Sequence, residues 1–204
     1  NFRCPFCHNA SLVTHIDSSA TLEEEEFFKF LNKRQGILDG VCVSGGEPLL
    51  QEDIEKFIEK IKMLGFLVKL DTNGSFPAVL ERLVKAKKVD YVAMDIKNSK
   101  EHYGLTAGDE KVPLEKVEES AAFLMQGLVP YEFRTTVVKE LHTKEDFKAI
   151  GQWLSKDSPY FLQNFVDSGD LIEERFTAYS KEELEEFAEI LRRTMSKVEL
   201  RGIS

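Results

Sequence analysis

A chain of 204 residues with 42% apolar content can bury one continuous core, and a single domain spanning 1–204 is the expected organisation. The formal net charge of -9 and pI near 5.1 offer no surface suited to tracking phosphates, which argues against nucleic acid as a direct partner. No stretch approaches the roughly eighteen consecutive apolar residues of a membrane span, no signal peptide is visible, and three cysteines in so long a chain suit a reducing cytoplasm rather than a disulfide scaffold.

The chain opens on NFRCPFCHN, with Cys4 and Cys7 in a Cys-x-x-Cys pair. Such a pair serves as a redox dithiol, half a zinc site or part of an iron–sulfur site, and the pair alone leaves all three open. His8 and Asn9 follow directly and can donate to a cofactor held there. Thr21 to about Gln35 reads as a helix, with Thr21 and Glu24 as a capping box. LDGVCVSGG then reads as a buried strand ending in glycines, with Cys42 as a small buried hydrophobe. Gln51 to Met63 is a second helix, with Ile54, Phe57, Ile58 and Ile61 at helical spacing. Phe66 to Leu70 is a strand, closed by DTNG. Phe76 to Ala86 is a helix, and Val89 to Met94 a strand running into DIK.

Residues 98–112 read as a polar loop, Leu114 to Gln126 as a helix and Tyr131 to Val138 as a strand. Thr143 and Asp146 cap a helix reaching about Leu154, and Tyr160 to Val166 is the next strand. Residues 167–179 are irregular. Ser180 and Glu183 open a last helix to about Met195, and the tail KVELRGI can add a short strand. His142 precedes a helix and is expected at the surface; His15 and His102 have no clustered partners. Strands alternating with helices imply crossover units and a parallel sheet, whose ligands sit beyond the C-terminal strand ends.

The polar groups gather at those ends. In GGEP, Gly45 and Gly46 let the backbone approach a ligand, Glu47 supplies a carboxylate for an ammonium group, and Pro48 suits the first turn that follows. In DTNG, Asp71 and Thr72 precede an Asn73-Gly74 turn and suit a sugar hydroxyl, a cation or a substrate backbone. In MDIK, Asp95 and Lys97 alternate around Ile96 and so share one side of the strand. Arg134, inside an apolar strand, suits either a salt bridge to those acids or a bound carboxylate. No P-loop, nucleophile elbow, HExxH or dinucleotide glycine motif is present.

Together these residues resemble the radical S-adenosylmethionine (SAM) superfamily, and within it the glycyl-radical-enzyme activases. That family carries Cys-x3-Cys-x2-Cys. Cys4 and Cys7 match the last two, NFR matches the spacer, and the first cysteine should lie one residue before Asn1. The resemblance implies a [4Fe–4S] cluster on Cys4 and Cys7, with SAM as cosubstrate. Gly45, Gly46, Glu47 and Pro48 would receive the methionyl group, Asp71 to Gly74 would lie near cofactor and substrate peptide, and Asp95 and Lys97 would border the reaction. Where formate-lyase activases carry a histidine near the ribose, this chain reads FLQNFVD, leaving Gln163 or Asn164. The resemblance implies a partial, open six-stranded β/α barrel, with a first strand upstream of Asn1 and the domain therefore N-terminally incomplete. Compact length, EFRTTVV and the closing LRG are similar to the activating proteins of anaerobic ribonucleotide reductase. The implied partners are that glycyl radical enzyme and a one-electron donor such as flavodoxin or ferredoxin. The alternatives are a radical SAM enzyme acting on a small molecule or modified base, as in queuosine synthesis, and a metal-binding α/β protein that uses no SAM.

Overall fold

The computed structural model describes residues 1–7, 10–13, 22–167, 169, 171–173 and 175–203. His8, Asn9, His15 and Thr21 lie outside them. Six strands, β1 (Gly40–Val43), β2 (Leu67–Thr72), β3 (Tyr91–Asp95), β4 (Tyr131–Val137), β5 (Pro159–Asn164) and β6 (Lys197–Arg201), form one parallel sheet in sequential order. Right-handed crossovers that always step to the next strand put every crossover helix on the same face, and the sheet curls away from them. β1 and β6 are the two edges and do not pair, so the barrel stays open. The tail KVELR supplies the sixth strand, so the count of six is reached without the strand expected upstream of Asn1.

Alternation along each strand separates the faces. On β2, Val68, Leu70 and Thr72 are buried, while Lys69 and Asp71 are half-buried on the opposite side and Leu67 is exposed there. The buried face packs on α3 (Ile54–Met63), α4 (Pro77–Lys85), α6 (Leu114–Leu124), α7 (Lys144–Trp153) and α8 (Lys181–Arg192) through residues such as Ile58, Leu80, Val117, Phe147 and Leu191. The other face carries the charged side chains. Two shorter helices complete the described set, α1 (Ala10–Val13) and α5 (Tyr103–Ala107), together with α2 (Glu24–Asn32).

Several expectations change. α2 starts at Glu24 with Glu23 in the cap position and no side-chain cap, so Glu24 is the first helical residue rather than the far end of a capping box. Cys42 is exposed, because its strand is an edge and its side points to the uncovered face. His142 is buried rather than superficial: its Nδ1 accepts from the Val138 amide (3.1 Å) and its Nε2 donates to the Lys97 carbonyl (2.8 Å). His102 has a partner, Asp146 Oδ1 at 2.7 Å. The stretch read as a polar loop contains α5. The two capping boxes at α7 and α8 form as their sequences imply.

Candidate active site

The cavity at the C-terminal end of the sheet, about 230 Å³, is lined by Cys4, Cys7, Gly45, Gly46, Glu47, Asp71, Thr72, Asn73, Asp95, Lys97 and Arg134. Pro48 lines an adjoining cavity of about 560 Å³ that shares Phe2, Val13 and the 44–47 turn. The described site residues expected from the sequence thus gather at this end of the sheet, with Pro48 in the adjoining cavity and Asn164 in neither. Sequence reasoning missed Phe2, Phe6, Ser44 and Thr136, which also line it. Phe2 and Phe6 flank the cysteines, and that apolar spacing was the available signal.

The 1–7 loop folds over the mouth. The Cys7 amide donates to the Cys4 carbonyl (2.9 Å), a tight turn that puts both thiols on one segment. Cys4 is buried and Cys7 partly so. Burial pushes the Cys4 thiol up, and the Lys97 ammonium works against that by favouring the thiolate.

At the end of β1 the GGEP turn leaves its backbone open. Gly45 sits at φ +146, and a Cβ at Gly45 or Gly46 would meet nothing within 4 Å. Those positions are a cradle that side chains would fill. Glu47 then caps a 3-10 turn, Pro48–Leu50, and accepts from the Leu49 amide (3.1 Å), Thr72 Oγ1 (2.8 Å) and the Asn73 amide (2.7 Å). Burial raises its carboxyl above the usual range, while those three donors oppose the shift. Glu47 thus ties GGEP to DTNG. Asn73 Nδ2 donates to Asn1 Oδ1 (2.9 Å), which adds the N-terminal loop to the same lock.

The charged side chains form a chain across three strands. Lys69 pairs with Asp71. Arg134 reaches both Asp71 (2.9 Å, through its NH1) and Asp95 (through its Nε), and Lys97 pairs with Asp95 (2.7 Å). A guanidinium fork bridging two carboxylates is a geometry an ammonium cannot reproduce. Burial alone would raise the Asp95 carboxyl; the Lys97 and Arg134 charges overcome it and hold it at about 2. Burial likewise opposes the charge on Lys97, and Asp95 overcomes it, so Lys97 stays above its ordinary value. Lys69, Lys97 and Arg134 against Asp71 and Asp95 leave one positive charge in this chain, which the Glu47 carboxylate in the same cavity offsets when ionised.

Soft thiolates select iron–sulfur or zinc centres. Two thiols on one turn, a lysine that favours the Cys4 thiolate, and an open glycine backbone beside them fit a cluster with an added ligand. Among the described residues no group of three His, Cys, Asp or Glu could hold a metal by itself.

An open, sequentially ordered parallel β/α sheet with a cysteine loop over its C-terminal end defines a class. The profile of the radical SAM superfamily matches residues 1–154, and the chain belongs to that superfamily and to its glycyl-radical-activase-like members. A protein of Methanocaldococcus jannaschii, provisionally named a glycyl-radical enzyme activating enzyme, is 31% identical over all of this chain and 86% of its own length. Among solved structures, a domain of a pyruvate-formate lyase-activating enzyme from Bacteroides vulgatus superposes with a TM-score of 0.67 at 18% identity, over 81% of this chain and all of that one. Streptococcus suis SuiB bound to S-adenosylmethionine gives 0.74 at 16% identity, over 99% of this chain and 48% of that one. These two likenesses concern the fold. Superfamily membership carries the cofactors with it, a [4Fe–4S] cluster and SAM, and the reaction class, cleavage of SAM in an oxidoreductase. Among the described residues, no helix is long and apolar enough to cross a membrane.

Proposed function

We propose that this chain activates an anaerobic ribonucleotide reductase by generating a glycyl radical in it. The observation that carries the reading is the convergence of two loop thiols, an open glycine backbone and the Asp71–Arg134–Asp95–Lys97 chain on one cavity of an unclosed barrel. An opening between unpaired edge strands suits a loop of another protein as substrate. The similarity to the methanogen protein supports a glycyl radical enzyme as partner in general. The reductase itself is favoured by the EFRTTVV and LRG segments.

Cys4 and Cys7 would hold two of the cluster's irons, and three thiolate ligands in all would leave one iron free to take a further ligand. Such a cluster would supply the one electron for reductive cleavage of SAM into methionine and a 5′-deoxyadenosyl fragment able to take the glycine α-hydrogen. The rest is placement by this chain. Gly45 and Gly46 present backbone to the methionyl group. A carboxylate has about four lone-pair sites; Glu47 fills three with its own chain and offers the remainder to the methionyl ammonium. Pro48 fixes the exit of that turn, and Thr72 and Asn73 hold Glu47 in place. Asp71, Asp95, Lys97 and Arg134 border the reacting hydrogen, and Gln163, a cavity residue, serves the ribose in place of Asn164, whose amide is spent on Tyr179. We further infer one radical SAM domain over residues 1–204, a flavodoxin- or ferredoxin-type donor, and a cytoplasmic setting.

The test is anaerobic incubation of the full-length protein with SAM, a reductant and either an anaerobic reductase or a formate lyase, read by electron paramagnetic resonance. A glycyl doublet with the reductase is expected. A doublet with the lyase alone reassigns the partner, and none with either overturns activation in favour of a small-molecule or modified-base substrate.

A further inference from the structure

The cysteine loop rests on α5, an element that the polar composition of 98–112 conceals. The Arg3 amide donates to the Ala107 carbonyl (3.0 Å), the last residue of the helix. Gly108 follows in the left-handed region at φ +70. A Cβ there would collide with the Arg3 carbonyl oxygen, lie 2.6 Å from the Arg3 carbonyl carbon and 3.3 Å from the Cys4 nitrogen. The peptide joining Arg3 to Cys4 therefore lies directly on the bare α-carbon of Gly108.

α5 is itself bound to the strand end bearing Asp95 and Lys97. Tyr103, fully buried, donates to the Asp95 carbonyl (3.4 Å), and Asn98 Nδ2 donates to Thr106 Oγ1 (2.8 Å). The loop with Cys4 and the strand with Lys97 thus share one short support. We propose that Gly108 is a positioning residue for the cluster ligands: its missing side chain is the seat on which Cys4 is held at fixed separation from Lys97. The role in cluster binding rests on the reading of Cys4 and Cys7 as ligands; the seat does not.

Gly127 provides a matched reference. It also follows a helix, at φ +71, yet a Cβ on it would meet nothing within 4 Å. Asn tolerates the left-handed region at helix C-termini better than most residues. Gly108→Asn and Gly127→Asn in the full-length protein therefore share the backbone demand and differ in the collision. Thiol labelling of the iron-free proteins, mapped by peptide, uses exposed Cys42 as an internal standard. We expect Cys4 in G108N to label about tenfold faster relative to Cys42 than in wild type, as a buried group does once local opening is easier, with G127N unchanged. After anaerobic reconstitution, G108N should lose iron to a chelator several-fold faster at a similar melting temperature to G127N. Cys4 as shielded in G108N as in wild type, or exposed equally in G127N, overturns the seat. Protected Cys4 in wild type and G127N, release in G108N, and no iron bound by any of the three would uphold the seat and sink the ligand assignment.

Discussion

At the scale of single residues the site is governed by what each carboxylate already holds. Glu47 accepts from three donors of two strand ends while buried, so replacing it by Gln puts an amide NH₂ against either the Asn73 amide or the Leu49 and Thr72 donors. Leaving a buried donor unmatched costs about 1–3 kcal/mol. Denaturant unfolding of Glu47→Gln should show that loss, and an unchanged midpoint would mean that the carboxylate is not held as described. Asp95 behaves differently because it faces two cations. Its carboxyl is lowered from 3.8 to about 2 in the folded chain, so its stabilisation is present above pH 3.8 and is lost as pH falls toward 2. That shift is worth about 2 kcal/mol. Asp95→Asn should lose that increment at neutral pH and flatten the acid limb of the stability curve in this window. A limb as steep as that of wild type would place the charge elsewhere.

At the scale of elements, the strand ends are fixed by neighbours as much as by their own sequence. Asp146 closes the capping box of α7 with Thr143 and, through Oδ1, also takes Ser99 Oγ (2.6 Å) and His102 Nδ1 (2.7 Å) from the segment after β3. Thr143→Ala removes only the cap and should cost about 1 kcal/mol. Asp146→Ala keeps the bond from the residue-146 amide to Thr143 but removes the reciprocal half of the box and orphans buried Ser99, and should cost about twice as much by thermal unfolding. Equal losses would mean that the Ser99 contact contributes nothing. The cap was legible because Thr-x-x-Asp is a local pattern. So were the strand ends GGEP, DTNG and DIK, since glycine turns and charges after apolar runs are local too. The tie from Asp146 to Ser99 spans 47 residues and leaves no mark in the sequence. The same reason hides His142: a ring that accepts from the Val138 amide and donates to the Lys97 carbonyl is specified by packing, and a helix-start position alone suggests solvent. α5 was missed because its five residues are too few for a helical apolar period, and Cys42 because an edge strand leaves one face of an apolar run uncovered.

At the scale of the molecule, most of the apolar core lies on the helix side of the sheet and the charged side chains of the site on the other, and this largely separates stability from cofactor binding. The apolar core lies between the strands and α3, α4, α6, α7 and α8, while Cys4 and Cys7 sit on a loop above the C-terminal strand ends. Cys4 is buried against that core and Cys7 partly so, but truncating either thiol to Ala removes a single sulfur atom. Cys4→Ala and Cys7→Ala in the full-length protein should therefore unfold within a few degrees of the iron-free wild type, since about 1 kcal/mol moves the midpoint of a chain this size by roughly 2–4 °C. Each should nevertheless fail to retain iron after anaerobic reconstitution. SAM then provides a second reading of the same separation. A ligand that binds only the folded, iron-loaded protein adds about 2.7 kcal/mol at one hundred times its dissociation constant, a rise of roughly 5–10 °C in the wild type. The iron-free variants would keep the Gly45–Glu47 turn but lack a cluster on which SAM could be held, so SAM at the same concentration should raise their midpoints far less. Calorimetry on the three proteins with and without SAM decides the matter: an equal rise in all of them would mean that the strand-end backbone and charges bind SAM unaided and that the cysteines serve another purpose.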